Sequence, residues 1–208
     1  MIRNIIYFGA SVLLFFFFMI AYGVILNSRG ITLDEAIALK GIDSLKNVHL
    51  FIDRKNYKIE LYSDSLLIKE YKAVFGQNSG IIKTSRDDLI TPAGNYKVCE
   101  IIDNYNYHKF IRLDFPNLKD ASEALKNGYI SRDEFKLLND SYKTDECPPP
   151  NTKLGNDIGI HGLGEYDYIF RNLPFVYNWT NGSAAVSNKD IEELASLVDK
   201  GTLVIIGQ

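Results

Sequence analysis

At 208 residues the chain is long enough for one globular domain with a short appendage and too short for two comfortable cores. Its formal net charge of -3, with lysines interleaved among acids throughout, offers no basic patch for a phosphate backbone and excludes nucleic acid as a partner. Two cysteines, Cys99 and Cys147, match no metal-ligand spacing and leave one disulfide or two free thiols equally open.

The chain begins with "IIYFGASVLLFFFFMIAYGVIL", Ile5 to Leu26, an uncharged run. At about 1.5 Å per residue it is long enough to cross a hydrocarbon core of about 30 Å. No small-x-small cleavage pattern precedes Asn27, so a retained transmembrane anchor over residues 1–27 is expected in preference to a cleaved signal peptide. Charge does not orient it, because Arg3 lies on one side and Arg29 and Lys40 on the other.

Residues 28–47 read as a polar stalk with a short helix, "TLDEAIALK", opened by Thr32 and Glu35 in capping-box spacing. The alternating runs "VHLFID" and "YKIELY", parted by Arg54, Lys55 and Asn56, predict a β-hairpin. "LLIKEYKAVFG" continues as a strand to Gly76, and Pro92 and Gly94 of "TPAGNYKVCEII" make a turn into the next. Helical spacing then takes over: Ala121, Ala124 and Leu125, followed by Phe135 and Leu138, predict two short helices, the second capped by Ser131 and Glu134. Inside them, "EALKNGYISRDE" has the glycine and final glutamate of a calcium loop but carries Leu125 where an acid is needed, so no metal is expected. "LGNDIGIHG" reads as a strand ending at His161-Gly162, "KDIEELASLVDK" as a helix capped by Ser187 or Asn188, and "TLVIIG" as a last strand.

Three histidines, His49, His108 and His161, are the candidates for a general base at neutral pH. His49 sits within a strand and His108 has no partner motif. His161 ends a strand and precedes a glycine-flanked Ser183 in "NWTNGSAAVSNKDIEEL". A strand-end histidine with a turn nucleophile is an arrangement that acyl transfer uses, and the glycine lets backbone N–H groups turn toward a developing oxyanion. Core histidine and turn serine is the alternative that residue types leave open.

Read together, "VFGQNSGIIKTSRDDLITPAGNYKV", "IRLDFPNLKDASEAL", "LGNDIGIHG", "NWTNGSAAVSNKDIEEL" and "GTLVIIG" resemble the L,D-transpeptidase catalytic domain family of YkuD type, in the branch whose nucleophile motif runs W-T-x-G-C-I-A. The resemblance covers residues 48–208. It implies a mainly β fold, an antiparallel β-sandwich of that type with a short helical insertion and a C-terminal helix, here behind an N-terminal transmembrane helix. It also implies action on peptidoglycan stem peptides, no cofactor, and a domain outside the cytoplasmic membrane, which puts the anchor's N-terminus inside.

Residue by residue, the resemblance makes His161 the general base, with Gly162 helping to hold it, and places Thr180 and Gly182 around the nucleophile as oxyanion and orienting positions. Lys83 and Trp179 fall beside the substrate groove. Ser183 stands where the family has its nucleophilic cysteine, and Ala184 where an isoleucine is usual. A thiol has an ordinary pKa near 8.5 and an imidazole can draw it to thiolate, whereas a serine hydroxyl must lose its proton during attack. Three readings of Ser183 follow: a transpeptidase whose nucleophile is lost, naturally or by engineering; a domain kept for binding peptidoglycan; and a variant that uses serine.

Overall fold

The computed structural model describes residues 2–27, 30–173 and 175–207. The alternating runs pair as expected. Strand β1 (Val48–Asp53) and β2 (Lys58–Ser63) are antiparallel, with Leu50 opposite Leu61 and Ile52 opposite Ile59, all four without solvent exposure. Their connection is closed by Asp53, whose carboxylate accepts from the Asn56 backbone N–H (3.0 Å) and side-chain amide (2.7 Å). Strand β3 (Leu66–Lys72) continues the meander beside β2. It stops short of the expected Gly76; Val74 and Gly76 instead make single bridges, to Ala185 and Thr180.

The long strand β4 (Gly94–Tyr105) turns back into β5 (His108–Leu113), and two short helices follow, α1 (Leu118–Lys126) and α2 (Arg132–Lys143). Each opens on a capping box: Asn117 with Asp120, and Ser131 with Glu134. Ala121, Ala124 and Leu138, read as the apolar faces, are buried. Cys99 and Cys147 form a disulfide that ties β4 to the chain leaving α2. After it come β6 (Gly159–His161), the one-turn helix α3 (Asp167–Phe170), the two-residue strand β7 (Ala184–Ala185), α4 (Asn188–Ala195) capped by Ser187, and β8 (Leu203–Ile206).

All strands join one eight-stranded sheet in the order β3-β2-β1-β8-β4-β5-β6-β7. The pairing is mainly antiparallel, but β8 enters the middle parallel to β1, and β6 and β7 are parallel. The sheet curls until its last strand meets the chain leaving its first: Val74 N–H donates to Ala185 O (2.9 Å) and Ala185 N–H to Val74 O (2.8 Å). The enclosed core contains fully buried Tyr71, Tyr96, Phe75 and Phe115, each of the two phenylalanines worth about 1.5–3 kcal/mol of apolar burial.

Ahead of the sheet, a helix at Leu33–Lys40 carries the predicted Thr32–Glu35 capping box and buries Ala36, while Leu33, Ile37, Ile42 and Leu45 pack against the core. The N-terminal helix, Ile2–Asn27, is apolar and exposed along most of its length, with the dimensions of a membrane span; a signal sequence shares those dimensions.

Candidate active site

His161 is the last residue of β6 and sits between Phe110 on β5 and Ala185 on β7 in the register. Only 4% of it is exposed. Aromatic rings enclose the imidazole, with centroids of Tyr107 at 4.9 Å and Trp179 at 5.7 Å. Its Nδ1 lies 2.7 Å from Gly162 O. A carbonyl only accepts, so Nδ1 carries the hydrogen in the neutral ring and Nε2 keeps its lone pair. Burial pulls the imidazole pKa down to about 4, with the Gly162 carbonyl opposing part of that shift. His161 is therefore neutral at pH 7, in the tautomer a general base needs.

The Ser183 turn is built by the residues just before it. Thr180 Oγ1 donates to Ser183 O (2.6 Å) and accepts from the Gly182 N–H (3.3 Å), which fixes the chain reversal. Gly182 has φ +132°, and a Cβ there would lie 2.6 Å from Ile90 O and 2.9 Å from Ile158 Cδ1, so only glycine fits. The Ser183 hydroxyl donates to Asp157 O (2.9 Å) and accepts from the Gly159 N–H (3.2 Å). Among the described residues, no hydrogen bond joins it to the His161 ring.

His161, Ser183, Thr180, Lys83 and Trp179 all open onto one cavity of about 300 Å³. Gly162 and Gly182 are not among its lining residues; the first supplies the carbonyl behind the imidazole, the second the turn behind the serine. Lys83 is buried, its ammonium 2.6 Å from Asp88 Oδ1 and donating to Arg86 O at 3.2 Å. Asp88 also collects the N–H groups of Thr84 (2.6 Å), Ser85 (3.1 Å) and Ile90 (3.1 Å). Burial pushes the Asp88 carboxyl up, but the Lys83 ammonium and these N–H donors outweigh it and hold the pKa below the usual carboxylate range. The lysine thus shapes the loop at the cavity wall with its charge already matched. Trp179 is half-buried, stacked on Phe170 at 6.1 Å and tilted against Tyr107 at 5.4 Å.

Residue types alone did not disclose several parts of the site. Asn188, read only as a possible cap, clamps the loop after the histidine: its Nδ2 donates to Gly164 O (2.8 Å) and its Oδ1 accepts from Gly164 N–H (2.9 Å). Tyr105 and Tyr107 wall the imidazole, and no motif in the sequence marks either of them. The Asp157 carbonyl is invisible to side-chain reading. Among the described residues, no group of three or more His, Cys, Asp or Glu is assembled as metal ligands.

No functionally curated protein matches the sequence. Among solved structures, the chain is similar to Bdellovibrio bacteriovorus Bd1075, at 19% identity and TM-score 0.48, over 78% of this chain and 48% of that one. It is also similar to the L,D-transpeptidase of Xylanimonas cellulosilytica (15% identity, TM-score 0.43, 83% of this chain and 68% of that one). A mutant Enterococcus faecium L,D-transpeptidase resembles it at 14% identity and TM-score 0.43, over 78% of this chain and 50% of that one. The chain thus spans about half the length of the Bdellovibrio and Enterococcus chains. The family model for the L,D-transpeptidase catalytic domain, YkuD, matches residues 47–206, most of the chain and all eight strands. The chain belongs to the L,D-transpeptidase catalytic domain family.

Proposed function

We propose that the chain is a membrane-anchored L,D-transpeptidase-type domain acting on peptidoglycan stem peptides, with acyl transfer strongly impaired by Ser183. In this reading residues 1–27 are the anchor, 28–47 the connecting segment and 48–208 the domain, held outside the cytoplasmic membrane. The reaction would run through attack on the carbonyl of the third stem residue, with D-alanine as the leaving group and an amine or water as acceptor. His161 Nε2 would take the nucleophile's proton and return it to the departing amine. Thr180 and Gly182 shape the oxyanion side of the turn, and Lys83 and Trp179 border the substrate.

The observation that carries the impairment is the Ser183 hydroxyl, bonded at both ends to main chain, to Asp157 O and the Gly159 N–H. To attack, it would have to leave the Asp157 carbonyl and give its proton to an imidazole whose charged form burial penalises. Behind that imidazole stands a neutral carbonyl, which stabilises an imidazolium less than a carboxylate would. The same hydroxyl geometry favours a second reading, a peptidoglycan-binding protein of the same fold without catalysis, since the aromatic cavity persists without a mobile nucleophile.

Incubation of wild type and Ser183→Cys with disaccharide tetrapeptide, followed by chromatography for D-alanine and cross-linked dimers, separates the readings. Strong activity only in Ser183→Cys supports an impaired enzyme, and its carbapenem adduct should appear by mass. A folded but inactive Ser183→Cys favours the binding protein. A fast wild type would establish a serine enzyme.

A further inference from the structure

Between the histidine strand and the serine turn the chain displays an apolar, aromatic surface: Tyr166, Tyr168, Ile169, Phe175, Val176 and Tyr177 are each between 49% and 61% exposed. Exposed apolar residues scattered singly are ordinary, but this many within one short segment mark an interaction surface. Its neighbour is informative. Gly23, on the N-terminal helix, is buried against Asn172 in the middle of this segment, and a Cβ at Gly23 would fall 1.8 Å from Asn172 O. The helix can approach that closely only because the residue is glycine.

The contact sets a depth. Gly23 lies about 6 Å along the axis from the helix end at Asn27, at about 1.5 Å per residue. If the helix spans a bilayer, Asn172 and the residues around it are therefore level with the last turns of the span, where hydrocarbon gives way to headgroups. Tyrosine suits that zone because its ring is apolar and its hydroxyl is wet, and the neighbouring Ile169, Phe175 and Val176 supply groups that water disfavours. Phe170, in the same segment, stacks on Trp179 at the cavity wall.

We propose that Tyr166, Tyr168 and Ile169, with Phe175, Val176 and Tyr177, form a second membrane contact, docking the domain onto the headgroup layer and fixing the cavity beside the bilayer surface. This rests on reading the N-terminal helix as a span, and the test reports on both. The two native cysteines are joined to each other, so an added cysteine is the sole reactive thiol. Val176→Cys, Leu13→Cys and Ser122→Cys in the full chain would each be labelled with an environment-sensitive fluorophore. The proteins would be reconstituted in phosphatidylethanolamine–phosphatidylglycerol vesicles carrying nitroxide at the headgroup or at mid-chain.

The label at Val176→Cys should lose most of its emission to headgroup nitroxide and little to mid-chain nitroxide. Leu13→Cys should show the reverse, and Ser122→Cys, on the exposed face of α1, should lose little to either. If Val176→Cys behaves like Ser122→Cys while Leu13→Cys is quenched, the anchor stands and the proposal falls, leaving the surface for wall polymer or a second copy. If Leu13→Cys escapes both quenchers, the helix does not span and the docking proposal falls with it.

Discussion

Lys83, on one wall of the cavity, and the half-buried Asp88 behind it stand 2.6 Å apart as an ion pair, whereas His161 and Ser183 are uncharged and each is held by main-chain groups. In the first cluster each charge faces its opposite, the Asp88 carboxylate also accepts several backbone N–H groups and the Lys83 ammonium also donates to the Arg86 carbonyl, so the pair fixes the shape of a loop and has little capacity to change state. In the second, the Nδ1–H of the imidazole is held by the Gly162 carbonyl, which leaves the lone pair on Nε2, and the serine hydroxyl is bonded to Asp157 O and the Gly159 N–H instead of to that ring. Burial therefore does different work in two places a few residues from one cavity: it locks a charge pair, and it keeps a base neutral.

The largest expected effect comes from converting the neutral cluster. Ser183→Cys should raise D-alanine release by on the order of 10³-fold or more, because about 1.4 kcal/mol of barrier accounts for each tenfold and a lost nucleophile removes several such steps. Adding His161→Ala to Ser183→Cys should return the rate to the wild-type level, measured in the same chromatographic assay. An unchanged rate in the double variant would mean that the imidazole is not the base.

Breaking the charged cluster should cost stability. Lys83→Met takes the cation from the half-buried Asp88 carboxylate, which keeps its N–H donors, and the midpoint of urea unfolding should fall by the equivalent of about 1–2 kcal/mol. Equal stability of the two proteins would show that the pair contributes only solvated contact. A third experiment separates the clusters by pH. The folded-state pKa of His161 is lowered to about 4, so below about 6.5 the unfolded chain binds a proton that the native chain refuses. Stability from keeping it neutral is fully present above about 6.5 and declines by about 3 kcal/mol as pH falls to about 4. Asp88 is depressed instead, so its contribution is present above about 3.9 and is lost only as pH falls further. His161→Gln should flatten the upper window and leave the lower one, as read from urea midpoints across pH.

The smallest effect belongs to a helix cap outside both clusters. Ser131→Ala removes the hydroxyl that accepts the Glu134 N–H at the start of α2 and should cost about 1 kcal/mol without altering the activity gained by Ser183→Cys. A loss of that activity would couple the helical insertion to the cavity.

What could be read from residues alone follows the range of the forces involved. The β1–β2 hairpin and the capping boxes at Thr32 and Ser131 were legible because their partners lie within a few residues. The insertion of β8 beside β1 was not, since parallel neighbours far apart in sequence leave no local signature. The Cys99–Cys147 bond remained one of two possibilities because spacing does not establish proximity. In the site, His161 and Ser183 stood out by residue type and by resemblance. The groups holding them did not: Asp157 and Gly162 act through carbonyls that every residue possesses, and Asn188 acts through a clamp visible only when Gly164 is beside it.

The two-residue strand β7 lies between β6 and the chain at Val74, with a bonded main-chain neighbour on either side. It works as the clasp of a bracelet, closing the curled sheet together with the bonds that Phe75 and Gln77 make to Thr180. Local breathing elsewhere, at a hairpin tip or a helix end, can come and go without disturbing the clasp. Opening the clasp on its β6 side would carry Ser183 away from Gly159 in the same motion. The amide of Ala185 should accordingly be among the slowest in the molecule to exchange with deuterated solvent, despite the brevity of its strand, and any change that hastens it should loosen the serine turn to the same degree.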